Sequence, residues 1–229
     1  MEPTIKKIQT AIFIKNFQIQ NEYEKSNLLL DSKEKIGDIF DGQPILIPAP
    51  NEMPPEIPRI VLNSADNLFS CNIALNRTDI FFNSANSKEK DVNIILEKQK
   101  TNSLRVFDFL KEKNVIINRI GFVVDVEYAI ENAIEFLKAE FINENKFESP
   151  KELSFRYNRS SIIEEINIPM NNLVTVSGKN DSNVIQIQLD INTVSEIMSS
   201  SDFSKEYFDK IITYSENKIN SIIKEFPNL

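Results

Sequence analysis

The chain has 229 residues, a formal net charge of −8, no histidine, no tryptophan and one cysteine. Without an imidazole it cannot run Ser-His-Asp or Cys-His nucleophilic chemistry on its own side chains, ligate zinc through histidine, or use a histidine base near neutral pH. The charge is lopsided: residues 1–115 hold 15 basic and 16 acidic side chains, residues 116–229 hold 11 and 18. Nonspecific nucleic-acid binding needs clustered Lys and Arg, so this balance weighs against a nucleic-acid partner. The lone Cys71 allows no internal disulfide and suits a reducing compartment. No stretch approaches the ~18 apolar residues of a membrane span, and the start MEPTIKKIQT lacks a secretory pattern. A cytoplasmic location is expected.

The first predicted element is a strand over 5–20. Ala11, Phe13 and Phe17 share one parity and Ile12 and Ile14 the other, so both faces are apolar, as in a strand covered on two sides. A polar, helix-compatible stretch follows over 21–38. Residues 44–58 read PILIPAPNEMPPEIP and hold six of the ten prolines. Proline fixes φ and holds the preceding residue extended. This segment is either a connector packed on the surface or a docking segment for a partner, with Ile45, Ile47, Met53 and Ile57 as the residues a partner would touch. A hairpin follows. Strand 60–63 and the alternating run Phe69, Cys71, Ile73, Leu75 flank a turn at Ser64-Ala65-Asp66-Asn67. Residues 78–83 give a further strand.

Residues 91–113 read as a helix, although Gln99 and Ser103 interrupt its apolar stripe. A strand over 115–127 and a helix over 129–141 come next, the helix with Ile130, Ala133, Ile134, Leu137 and Phe141 on one side. After Pro150 strands are expected around 153–157, 162–168, 173–176 and 185–191. In the last of these Ile185, Ile187, Leu189 and Ile191 oppose Gln186, Gln188 and Asp190, which predicts one wet face. A helix over 204–226 closes the pattern, with Pro227 at its end and Tyr207 and Tyr214 off the apolar stripe, available to a homodimer seam. The fold class is α+β, antiparallel strands with helices packed on a sheet. It is read as one domain, with 1–113 and 114–229 as two possible similar halves.

Few residues carry chemistry. Four glycines cannot supply a Walker loop or a dinucleotide fingerprint. No cofactor is expected. A magnesium site needs only oxygen ligands, and Asp125 with Glu127, two apart on a strand, is the best carboxylate pair. A solvated strand edge explains the same pair. Glu164-Glu165 beside Arg159 reads as a surface salt-bridge cluster, and Glu97-x-x-Lys100 as ordinary helix-surface charge. Arg77, Arg119, Arg156 and Arg159 lie in or beside strands. They either pair with Asp79, Asp125, Glu127 and Glu164 or line a groove for an anionic ligand, where Phe155 and Tyr157 next to Arg156 would stack a base.

The stretch NVIINRIGFVVDVEY (114–128), preceded by SLRVFDFLKE, resembles a sporadically distributed bacterial protein family of about this size that has no known activity. The matching pieces are Arg119-Ile120-Gly121, Leu189-Asp190-Ile191-Asn192-Thr193, the terminal helix 207–226 and the upstream NRTDIFFNSA (76–85). They cover about half of the chain. The family's terminal helix often carries a histidine, which is missing here, and the helix at 129–141 looks like an addition. The resemblance implies the fold and no activity. A looser likeness, of architecture alone, is to SecB-like chaperones, acidic α+β proteins that assemble into oligomers and hold unfolded chains. The expectation is therefore a non-enzymatic protein that works by protein–protein contact, an accessory or regulatory component of a bacterial stress or defence system, with a homo-oligomer possible. The alternatives are a SecB-like chaperone and a metal-dependent nuclease or phosphoesterase using Asp125 and Glu127.

Overall fold

Isoleucines of both parities place strand β1 (Pro3–Lys15) at the middle of a sheet, where Ile8 and Ile12 are fully buried. The computed structural model describes residues 2–19, 21–48, 53–142, 150–194 and 202–226. Helix α1 (Glu22–Ile36) starts at Asn21, whose side chain accepts from the Glu24 N–H. Next come β2 (Ile45–Leu46), β3 (Ile60–Asn63), β4 (Phe69–Ile73) and β5 (Arg77–Asn83), then helix α2 (Val92–Glu112), capped by Asp91. The second run has β6 (Ile116–Ala129), α3 (Ala133–Phe141), β7 (Glu152–Ile163), β8 (Ile168–Lys179), β9 (Val184–Thr193) and α4 (Lys205–Glu225).

All described strands form one antiparallel sheet in the order β2-β3-β4-β5-β1-β6-β9-β8-β7. The order is close to a palindrome about the central β1–β6 pair. From it β5, β4 and β3 lead to one side and β9, β8 and β7 to the other. Strand, helix, three strands, helix thus runs through 3–112, with the two-residue β2 added, and again through 116–225. The two closing helices are each 21 residues long.

Helices α2 and α4 lie side by side over β1 and β6. Phe107 stacks on Phe208, with ring centroids 4.5 Å apart. Lys100 of α2 reaches Asp209 at 3.1 Å and the Thr213 hydroxyl at 2.8 Å on α4. Its role is therefore an inter-helix bridge and not an in-helix pair with Glu97. Helix α3 presses on β8, where a Cβ at Gly178 would come within 3.0 Å of Leu137. Helix α1 packs beside α2, held by Arg105 on Asp38 and by Lys113 on Asp31. One continuous apolar core joins residues of both runs.

All four helices cover the same side of the sheet. The strand expected to be covered on both faces has a helix layer on one only: Ile8, Thr10 and Ile12 point into it, while Gln9, Ala11 and Phe13 point away. The separate strand expected over 162–168 is not found: β7 ends at Ile163 and β8 begins at Ile168. The chain reverses there through a short 3-10 turn at Glu164–Ile166 and Asn167, at φ 51°, so that β7 and β8 are one long hairpin. The break in the α2 stripe has a use. Gln99 and Ser103 are fully buried, and both bond the Thr10 hydroxyl from above, at 2.9 Å each. Helix α3 begins at Ala133, after a left-handed Asn132, and not at 129. Gln20, residues 49–52 and Pro227 lie outside the described residues.

Candidate functional site: the open face of the sheet

Alternation puts every second residue of eight strands on the uncovered face. Cross-strand register then sets them in rows. One row runs Lys7, Asp125, Gln188, Thr175, Arg156 across β1, β6, β9, β8 and β7. A neighbouring row sets Glu127 beside Gln186 and Ser177. Asp125, Gln188 and Thr175 of the first row, Glu127, Gln186 and Ser177 of the second, and Lys6 line a shallow hollow of about 380 Å³.

Its two carboxylates are engaged. The Gln188 amide donates to Asp125 at 2.8 Å, the Gln186 amide to Glu127 at 3.2 Å, and Lys6 lies 3.2 Å from Glu127. Asp125 and Glu127 do share one face, as the spacing required. Among the described residues no group of three or more Asp, Glu or Cys side chains gathers where a metal ion could be held.

On the other side of the centre, Phe13 of β1 lies between two arginines in register with it, Arg77 of β5 and Arg119 of β6. Their guanidinium carbons are 5.7 and 4.6 Å from the ring centroid, which is cation–π distance. Arg77 also donates to Asp79 at 2.7 Å, and the Gln9 amide donates to the other Asp79 oxygen at 2.8 Å. Arg119 reaches Asn192 at 3.4 Å, and Asn192 donates to Asp190. Lys7 sits over the Phe81 ring at 4.7 Å.

The four arginines do not form one groove. Arg77 and Arg119 flank Phe13. Arg156 lies on the same face but three strands beyond Arg119, on the edge strand. Arg159 is on the opposite, helix-side face, in a hollow it shares with Tyr157, Lys218 and Ile222. Phe155 and Tyr157 also point to the helix side, so they cannot stack a base beside Arg156: neighbouring strand residues face opposite ways. Among the described residues, Asp79 alone of the expected carboxylates pairs with one of these arginines, Arg77; Glu127 pairs with Lys6 instead. Among the described residues neither Glu164 nor Glu165 pairs with Arg159.

The proline segment is tied to the sheet. The buried Arg59 donates from its two terminal nitrogens to the Ile57 and Met53 carbonyls, at 2.7 and 3.3 Å. The Leu75 N–H bonds the Pro55 carbonyl, and the Ile47 N–H the Arg59 carbonyl. Ile45 is 53% exposed, whereas Ile47, Met53 and Ile57 are half-buried. Tyr214 is also engaged, its hydroxyl bonded to Ser161 and Asn172, while Tyr207 stays exposed.

Phe13, Gln9, Lys6 and Lys7 belong to the open face and had no signal in the sequence beyond strand parity, whereas Asp79, also on that face, was expected as an arginine partner. Gln186 and Gln188 had a signal: their alternation marked a wet face. No protein-family model matches the chain, and comparison with curated proteins finds no match. No described helix is long and apolar enough to cross a membrane.

Proposed function

We propose that the chain is a non-enzymatic binding protein that acts by protein–protein contact through the open face of its sheet. The observation that carries this reading is the matching of charges on that face: Asp79 with Arg77 and Gln9, Asp125 with Gln188, Glu127 with Lys6 and Gln186. A metal or phosphate site keeps its charge available for the ligand. A broad, shallow surface of aromatic rings, arginines and amides satisfied in place suits a protein partner, which brings its own complementary groups.

The test starts with a partner isolated from cell extract on the tagged full-length chain and then titrated against pure protein. Gln188→Lys and Phe81→Lys, each changing one side chain of the open face, are expected to weaken binding about tenfold, near 1.4 kcal/mol, with an unchanged melting temperature. Full affinity in both variants removes the open face from the reading. The metal-dependent alternative has its own check by calorimetry with magnesium or manganese. Stoichiometric binding that disappears in Asp125→Ala would replace the proposal with carboxylate chemistry.

A further inference from the structure

The two edges of the sheet are built differently. At one end β2 is two residues long and lies between Pro44 and Pro48, which offers little backbone to a further strand. At the other end β7 runs for 12 residues, Glu152 to Ile163, without proline, lysine or a register shift against β8. Eight of those residues are exposed, and among the described residues no strand lies beyond it. Long, straight, unguarded edges pair with other strands, and natural sheets block them with lysine, proline or bulges. Among the described residues this sheet guards one edge with prolines and leaves the other unpaired.

From this we infer that β7 is a dimerisation edge, and that its occupant is β7 of a second copy, running antiparallel about a two-fold axis at Tyr157. Charge and length of overlap select that register: an axis at Asn158, which also sets Arg159 opposite a ring, would bring Glu152 opposite Glu164 just past the strand, and axes nearer either end pair fewer residues. Such an axis requires facing residues to have the same parity. Centred on Tyr157, it sets Arg156 opposite Asn158, Arg159 opposite Phe155, and Ser154 opposite Ser160. Centred on Arg156 or on Arg159 it would set an arginine against itself. In the selected register Arg159 meets an aromatic ring and no like charges oppose each other.

Size also fits. Twelve residues span roughly 40 Å of strand, and a sheet with one helix layer is roughly 20 Å thick. An edge-to-edge joint of these dimensions covers roughly 800 Å² on each copy, the area of a standard stable interface. The result is a closed dimer with one continuous sheet across both molecules. The joint uses a different surface from the open face, so the two proposals fail separately.

Sedimentation of the full chain across the micromolar range tests the idea. The expected species is twice the 26.4 kDa chain mass, dissociating on dilution. Tyr157→Lys places two ammonium groups face to face and is expected to give the single-chain mass with an unchanged circular-dichroism spectrum and a lower melting temperature, because the folded state loses the stabilisation that association supplies. Asn158→Lys, also exposed, is the second variant should the first fold poorly. Tyr157→Cys faces its own copy and is expected to form a disulfide-linked dimer on mild oxidation. Tyr23→Cys, on the exposed side of α1, is not. Cys71 is buried and gives no background. A chain that stays single throughout, a folded Tyr157→Lys that remains dimeric, or equal cross-linking at position 23 would overturn the proposal.

Discussion

Every described non-glycine residue with a left-handed backbone is an asparagine: 16, 67, 114, 132 and 167, with φ between 51° and 61°. They end β1, turn the β3–β4 and β7–β8 hairpins, follow α2 and precede α3. No glycine has positive φ. In a chain with four glycines, asparagine is the residue that tolerates this conformation, because its short amide bonds the local backbone. Asn67→Ala is therefore expected to cost about 1 kcal/mol and Asn67→Gly much less, read as shifts of the urea midpoint. Glu216 stands out among the ionisable groups. Burial pushes its carboxyl up to about 7 from an ordinary 4.5; Lys100 opposes the rise, and Glu97 and Asp209 add to it. One of its oxygens is buried with no hydrogen-bond partner among the described residues. Between those two values the folded chain holds more proton at this site than the unfolded chain. This group's contribution is thus present at low pH and is lost as pH rises from about 4.5 to about 7. Glu216→Gln should flatten that slope and, after allowance for solvent screening, raise stability at pH 8 by roughly 1 kcal/mol. Denaturation curves at several pH values check this; an unchanged slope rejects it.

Among the elements, α2 shows how polar residues can specify a helix position. Gln99 donates to the Thr10 hydroxyl and to the Ile80 carbonyl at 3.0 Å, and Ser103 donates to the same hydroxyl. The helix is thereby pinned above β1 and β5 at one rotation, which apolar contacts alone would specify less strictly. Thr10→Val removes the shared acceptor and leaves a buried hydroxyl and half of an amide unpaired, an expected loss of about 1–3 kcal/mol. Thr10→Val with Ser103→Ala should lose less than the sum of the two single changes, because they share one bond. Thermal or urea denaturation of the three variants measures this. Additive losses would mean that the cluster does not act as a unit. The same logic holds at Arg59. A guanidinium with 2% exposure holds the part of the proline segment next to β3 by bonding the Met53 and Ile57 carbonyls, where prolines leave few N–H groups to make a ladder.

At the scale of the whole molecule, the two runs of strand, helix, three strands, helix share their centre. Strands β1 and β6 pair over almost their full lengths, and α2 and α4 cross-link above them through the Phe107–Phe208 stack and the Lys100 bridge. A core continuous across this seam leaves neither half a hydrophobic interior of its own. The chain is therefore expected to unfold in one step. Scanning calorimetry should give one transition with equal calorimetric and van't Hoff enthalpies. Two resolved transitions would mean that the seam is weaker than its contacts imply. Phe107→Ala, which empties one side of the stack, should lower stability by about 3–5 kcal/mol without splitting the transition.

The amino-acid sequence by itself determined most of the local elements, though not the β7–β8 hairpin or the start of α3. The period-two run at 185–191, the hairpin at 60–73 and the stripe of α4 were legible because neighbours along the chain decide them. The missing imidazole and phosphate loop also belong to the sequence alone. In β1, where both parities are apolar, only tertiary structure decided which parity met helices, because alternation there sorts residues onto two faces without saying which is covered. It separated Arg156 from Arg159 and turned Gln99 and Ser103 from flaws in a stripe into a buried network. It set Phe13 between two arginines more than sixty residues away along the chain, and it left β7 at the edge. Each of these depends on strand order and register, which are fixed by packing between distant segments and carry no local signature.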